Sequence, residues 1–317
     1  MILLLLAACL DPDAAIDASR PEPFEFEVPK GATASGLGPK LIDAELVPGE
    51  MQWKLFTKQT DMSCLKAGRF EVSRAMSLNE LRDTLCGAPL ADDVAFTVVE
   101  GWRIRDIDAA LVDKGWIDPG EYAAMAEGKT VASPFEVSAK TYEGYLYPET
   151  YMVAPGDKFD AANLVKRQLQ TFQKRFLAED TDLGKRSLDD IVVMASMLER
   201  EEPKPKNRPL VAGILWKRID TNNALGVDAT SRYTLDDWND RRAFLKNLKN
   251  PDEPYNTRLK KGLPPTAIGN PTVSSLEAAV SPKESVFWYY LHDADGELHP
   301  ARNAAEHEAN RAKYDVY

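Results

Sequence analysis

The chain has 317 residues, a formal net charge of -11 and a pI ≈ 5.0, a balance that argues against nucleic acid or an anionic membrane surface as its main partner. Hydrophobic residues make up 44% and charged residues 28%, so the chain is globular and long enough for two domains of ordinary size. Its three histidines and three cysteines lack metal-ligand spacing, no metal or cofactor is implied, and no G-x-S-x-G elbow or glycine-rich phosphate loop is present.

The N-terminus reads Met-Ile-Leu-Leu-Leu-Leu-Ala-Ala-Cys9. This apolar run is shorter than the roughly 20 residues that span a bilayer, yet long enough for the core of an export signal. Leu6-Ala7-Ala8-Cys9 resembles a bacterial lipobox, which makes Cys9 a candidate for lipidation. No basic residue precedes the run, so the tail of a truncated transmembrane anchor is the alternative. Either reading places the rest of the chain in a bacterial cell envelope, tethered to the membrane and facing outward. Residues 1–23 are therefore expected to be signal and linker, the linker being the Pro- and Asp-rich stretch from Asp11 to Pro23. Cys64 and Cys86 remain, either as a disulfide in an oxidising envelope or as two free thiols.

A short pattern then recurs four times: Phe26-Glu-Val28, Phe70-Glu-Val72, Phe96-Thr-Val98 and Tyr151-Met-Val153. Each copy predicts an alternating strand closed by a tight turn and followed by a helical stretch. Ser77-Leu-Asn-Glu80 is a capping box for the second of these helices. Such units resemble the LysM glycan-binding module; the plainer alternative is an α+β domain whose strands end alike. The run Tyr142 to Tyr151 packs four tyrosines with Glu143 and Glu149. Aromatic faces beside carboxylates suit sugar rings, whereas a tyrosine-rich core edge would look the same. An amphipathic helix follows over about 158–177.

The strongest helical signal is Leu188 to Glu201, with Ser187 as N-cap and a stripe of Leu188, Ile191, Val192, Ala195 and Leu198. Glu199 falls on that apolar face or its margin, where burial is expected to raise its pKa toward that of a general acid. The alternative is a helix-end acid that turns to solvent beside Arg200. A second helix is predicted from Arg208 to about Asp220, then a short strand and turn over Leu225–Tyr233, and a charged insert around Trp238. Lys261 to Pro271 is too rich in Gly and Pro for a regular element. Ser274–Val280 reads as a helix and Val286–Leu291 as a strand. His292, His299 and His307 are spaced too widely for a metal site.

Several separated stretches together carry a resemblance. They are Leu65-Lys-Ala-Gly-Arg-Phe70, Glu100-Gly101, the Tyr142–Tyr151 run, Ala195-Ser-Met-Leu-Glu199-Arg-Glu201, Asp228-x-Thr230 with Tyr233, and Tyr255-Asn-Thr257 followed by Gly262-Leu-Pro-Pro265. In this order they resemble the YceG-like endolytic murein transglycosylases, the MltG family. The resemblance implies cleavage of the MurNAc-β-1,4-GlcNAc bond within peptidoglycan strands, leaving 1,6-anhydro-MurNAc ends. It implies Glu199 as the catalytic acid and base, and Glu201 as scaffold, pointing about 200° away around the helix. It further implies Asp228, Thr230, Tyr255, Asn256 and Thr257 as substrate-binding residues, with Glu143 and Tyr147 as the opposite wall. Peptidoglycan strands are the expected partner, with peptidoglycan synthases and penicillin-binding proteins beside them. A catalytically weak glycan-binding scaffold and a hydrolase using Asp228 with water are the competing readings. The chain departs from the family pattern at Gly226, Ala229, Arg258 and Thr266, where Gln, Pro, Tyr and Gly are usual. The expected fold is α+β: a LysM-like β-α domain over residues 24–153, then a catalytic domain over 154–317 with helices around a small mixed sheet.

Overall fold

The computed structural model of the chain describes residues 11–29, 31–90, 93–177 and 181–316. Cys9 lies outside them. The chain divides into two compact units, Met1–Asp93 and Val94–Tyr317.

The first unit runs β1 (Pro23–Val28), α1 (Ala34–Asp43), α2 (Glu50–Gln59), β2 (Gly68–Ser73) and α3 (Leu78–Cys86). β1 and β2 pair antiparallel, with Phe26 opposite Phe70. The first two copies of the repeated pattern are thus strand partners, and their inward residues share one core with Leu37, Leu41 and Trp53. The capping box forms: Ser77 accepts from Glu80 N–H and the Glu80 carboxylate accepts from Ser77 N–H. Cys64 and Cys86 are joined by a disulfide, with Cα atoms 5.0 Å apart. The stretch expected to be a linker is docked instead. Ile16 N–H donates to Met76 O, Asp17 N–H to Arg74 O, and Asn79 N–H to Pro12 O. These bonds hold residues 12–17 against the turn that precedes α3.

The second unit begins with β3 (Val94–Thr97), α4 (Ile104–Asp113) and α5 (Glu121–Glu127). Then come β4 (Thr150–Val153), α6 (Ala161–Phe176), α7 (Leu188–Glu201) and α8 (Arg208–Asp220). α9 (Asp228–Arg232), α10 (Arg241–Asn247), α11 (Val273–Val280), β5 (Tyr289–His292), β6 (Leu298–Ala301) and α12 (Ala304–Lys313) complete it. The third and fourth repeat copies also pair, with Phe96 opposite Tyr151 in the antiparallel ribbon β3–β4. That pairing moves the boundary expected at 153 to 93/94, because Phe96, Tyr151 and Val153 enter the same core as α6 and α7. The expected mixed sheet is absent among the described residues: each of the three sheets is a two-stranded antiparallel pair. A two-stranded ribbon buries one face only, so helices supply most of this core.

α7 spans the residues its periodicity predicts, with Ser187 accepting from Asp190 N–H. Its buried positions run from Ile191 through Leu198 almost without a break, so it is the central helix of the unit. The Leu225–Tyr233 stretch is not a strand. Gly226 turns at φ +64°, and Asp228 opens α9. The predicted strand over Val286–Leu291 starts later, at Tyr289, where β6 provides a partner.

Candidate active site

Several of the motif stretches of the second unit meet around the C-terminal half of α7. Ser196 holds the Gly- and Pro-rich loop on the helix: its Oγ accepts from Ile268 N–H at 3.0 Å and donates to Val193 O at 2.8 Å. The loop then reaches Asn270, which is fully buried. Asn270 Oδ1 accepts from Gly144 and Leu146 N–H, both at 3.0 Å, and its Nδ2 donates to Trp102 O at 2.9 Å. Three motif stretches are therefore tied by one side-chain amide. Two glycines permit the approach. A Cβ at Gly144 would stand 2.6 Å from Val192 Cγ1 on α7, and one at Gly269 would stand 2.2 Å from Gly101 O.

The two candidate acids near the end of α7 have different surroundings. Glu199 has a side chain only 6% exposed, closed by Arg208 and Thr272. Arg208 Nη2 donates to Oε1 at 2.9 Å and Nη1 to Oε2 at 3.3 Å. Thr272 donates to Oε2 from its N–H at 2.9 Å and from its hydroxyl at 2.7 Å. Arg208 Nη1 also donates to Thr272 Oγ1 at 3.1 Å, and its Nε to Glu202 O at 3.0 Å. The expected apolar setting of Glu199 is thus corrected. Four donors converge on a carboxylate that fastens the end of α7 to the starts of α8 and α11. Arg208 went unnoticed in the sequence. The one signal was a cation at the first position of a helix, where the dipole favours an acid. Thr272 likewise occupies a helix N-cap without capping, because its hydroxyl is given to Glu199.

Glu201 lies on another face. It lines a cavity of about 580 Å³ together with Arg218, Asp228, Arg258, Tyr290 and His292. Its Oε1 accepts from Ala229 N–H at 3.2 Å, at the start of α9, and its Oε2 from the Tyr290 hydroxyl at 3.4 Å. Burial pushes the Glu201 carboxyl above the usual range; the Ala229 N–H opposes this, and the negative charge of Asp228 reinforces it. The neighbouring Glu202, fully buried, meets His292 Nε2 at 3.0 Å. Glu201 was expected to be scaffold and to point away from the chemistry. It does point away from Glu199, and the cavity is on its side.

Of the expected substrate-binding residues, Asp228 alone lines this cavity. Its Oδ1 is shared by Arg258 Nε at 2.7 Å and Nη2 at 2.6 Å. Thr230 and Thr257 are buried, and their hydroxyls meet at 3.0 Å. Thr257 Oγ1 also accepts from Val227 N–H at 3.1 Å. Together they hold the turn that precedes α9. Asn256 is fully buried, its amide donating to Asn247 O and Leu248 O. These three residues brace the cavity wall from behind. Tyr255 packs against Tyr233 with ring centroids 4.6 Å apart and planes tilted by 43°, and its hydroxyl meets Thr266 Oγ1 at 2.8 Å.

The tyrosine run is core and not a sugar platform. Tyr142, Tyr145, Tyr147 and Tyr151 are all buried. The Tyr147 hydroxyl accepts from Val273 N–H at 3.4 Å, beside the Glu199 clamp. Glu143 is buried as well. Both of its oxygens accept from Ile104 N–H at the start of α4, and Oε2 accepts from the Tyr233 hydroxyl at 2.9 Å. Burial raises the Glu143 carboxyl to about 7 against those two donors. Among the described residues, no cluster of three or more His, Cys, Asp or Glu could hold a metal ion.

Comparison with known proteins bears on this arrangement. The YceG-like family pattern matches residues 26–313. The endolytic murein transglycosylase of Bacillus subtilis (strain 168) is 25% identical over 305 residues, covering 91% of this chain and 84% of its own length. That of Streptococcus pneumoniae serotype 2 is 23% identical over 336 residues. It is matched over 96% of this chain, which spans 61% of the pneumococcal protein. The crystal structure of a yceG-like protein from Listeria monocytogenes superposes with a TM-score of 0.55 at 25% identity, over 92% of this chain and 99% of the other.

Proposed function

Because the chain belongs to the YceG-like family, we propose that it is an endolytic peptidoglycan transglycosylase whose proton-transferring group is Glu201. The observation that carries this reading is a partly buried carboxyl that lines a cavity and is pushed above the usual carboxylate range by its surroundings. The names of the two bacterial relatives supply the substrate class. A general acid near neutral pH has to hold its proton, and burial beside Asp228 favours that state. In the proposed reaction, protonated Glu201 donates to the glycosidic oxygen between MurNAc and GlcNAc, and the C1–O bond breaks. The N-acetyl oxygen of the muramyl unit can shield C1 from within the substrate. The Glu201 carboxylate then takes the proton of the C6 hydroxyl as O6 attacks C1. The product is a 1,6-anhydro-MurNAc end, no water is consumed, and one carboxyl serves both steps. Hydrolysis with Asp228 as a second carboxylate is the competing reaction, and its products differ by one water.

Glu199, the acid implied by the resemblance, is assigned the role of a positioning clamp. Arg208 and Thr272 occupy both of its oxygens. The strand–helix–helix–strand order of the first unit supports a LysM-like glycan-binding role, and this unit would hold the strand being cut. An envelope location, tethered through the N-terminus and close to the synthases that extrude new strands, agrees with the Cys64–Cys86 disulfide. Cutting nascent strands there would terminate them.

The test is digestion of uncrosslinked glycan strands by the protein, by Glu201→Gln and by Glu199→Gln, with products read by mass spectrometry. Anhydro ends from the parent and none from folded Glu201→Gln are expected. Reducing ends, heavier by one water, would indicate hydrolysis. Strands retained but uncut by the parent would favour the binding-scaffold reading.

A further inference from the structure

The cavity that holds Glu201 is lined by both acids and arginines: Glu201 and Asp228 with Arg218, Arg258 and Arg311. Arg218 comes to it from α8. Its Nε and Nη2 donate to Trp288 O at 2.9 and 2.6 Å, and its Nη1 donates to Leu225 O. All three bonds go to carbonyls, and no carboxylate pairs with Arg218 among the described residues. A guanidinium carries five N–H groups, so two remain beyond these bonds. Gly226 lies next to it on the cavity lining; a Cβ there would come within 3.8 Å of Arg218 Nη1.

Arg258 adds a second cation at the rim. It is paired with Asp228, but both side chains are close to half exposed, 49% and 44%. Such a pair is weak and exchanges readily for another anion. Arg311, from α12, lines the same cavity and is held by Glu308 at 3.1 Å. Of the three arginines on this cavity, Arg258 and Arg311 are paired with Asp228 and Glu308, and Arg218 has no carboxylate partner among the described residues.

We propose that this cavity holds a subsite for a carboxylate of the substrate, bound by Arg218 and Arg258 while Glu201 acts on the neighbouring glycosidic bond. This rests on the transglycosylase reading. A muramyl unit offers the chemistry from two sources: the lactyl carboxylate of a strand stripped of peptide, or the carboxylates of an attached stem peptide. Arg258, by exchanging Asp228 for that group, sets the preference.

The experiment compares full-length protein and Arg258→Gln on four substrates: peptide-bearing strands, amidase-stripped strands, and each after its carboxylates have been converted to methylamides. The quantity read is the ratio of kcat/KM on the charged strand to that on its amidated form, and the same ratio of Kd by calorimetry. A ratio of about 10 is expected for the parent, falling close to 1 in Arg258→Gln, as loss of a charge-assisted hydrogen bond requires. The strand type that shows the ratio identifies the source of the carboxylate. Equal ratios in the two proteins overturn the proposal. If the parent cuts no strand, the transglycosylase reading fails, and the Kd ratios decide the subsite alone: about 10 against 1 sustains it, equality removes it.

Discussion

Glu199 and Glu201 stand two residues apart on one helix end and live in opposite circumstances. Glu199 is surrounded by donors from Arg208 and Thr272, which satisfy it and hold it. Glu201 has two longer bonds, from Ala229 and Tyr290, and a cavity in front of it. A well-satisfied buried carboxylate suits a structural role; a partly buried carboxyl with spare valence and a raised pKa is a candidate for moving protons. The comparison teaches that nearness to a motif does not assign a role, because the partners on each face do.

Exchanging the two acids breaks this comparison most sharply. Glu201→Gln is expected to lower kcat by about 10³-fold with an unchanged melting temperature, the usual weight of a general acid and base. Parent activity should fall as pH rises through the raised Glu201 pKa, because the acid form is lost. Should Glu199→Gln instead abolish turnover while melting like the parent, the two roles are reversed.

The clamp is tested through its cation. Arg208→Met leaves Glu199 buried without its guanidinium and is expected to cost about 3–5 kcal/mol of stability, read by denaturant unfolding. Adding Glu199→Leu should recover much of that loss. Failure to recover would mean that the carboxylate does more than close the clamp.

Glu143 gives a pH signature without catalysis. Its carboxyl is pushed up to about 7 in the folded chain, against an ordinary glutamate value of 4.5 when unfolded. Between these values the folded state holds the extra proton, so stability falls as pH rises from about 4.5 to about 7. The loss is on the order of 3 kcal/mol. Melting curves of the parent should slope downward across that window, and those of Glu143→Gln should be flatter. Equal slopes would remove Glu143 as the titrating group. The smallest effect is expected of Ser196→Ala, which unpairs the buried Ile268 N–H and should cost about 1–3 kcal/mol. Turnover would then drop only as far as the Gly-Pro loop loosens.

Much of this was legible in the chain. The stripes of α7 and α8 and the caps at Ser77 and Ser187 are local signals, and the structure keeps them nearly residue for residue. The fourfold strand pattern also carried more than it promised, since its copies are paired strands. Leu225–Tyr233 was misread because Leu-Gly-Val alternates like a strand; the positive φ at Gly226 turns it into the start of α9. The tyrosine run stayed open between two readings, and burial decides for the core edge. Tyrosine faces suit a sugar and a core equally, and the helices packed over them decide which.

By itself, the sequence determined where the helices and strands lie and which stretches belong to one family, because periodicity and caps act within a few residues. It also set the angle of about 200° between Glu199 and Glu201. Only the tertiary structure decided what stands opposite each angle. Arg208 and Thr272 arrive on one side, and Asp228, Arg258 and β5 on the other, from positions up to about ninety residues away. Helical periodicity carries no information about such distant docking, so the surroundings of each acid emerge only when the chain is folded.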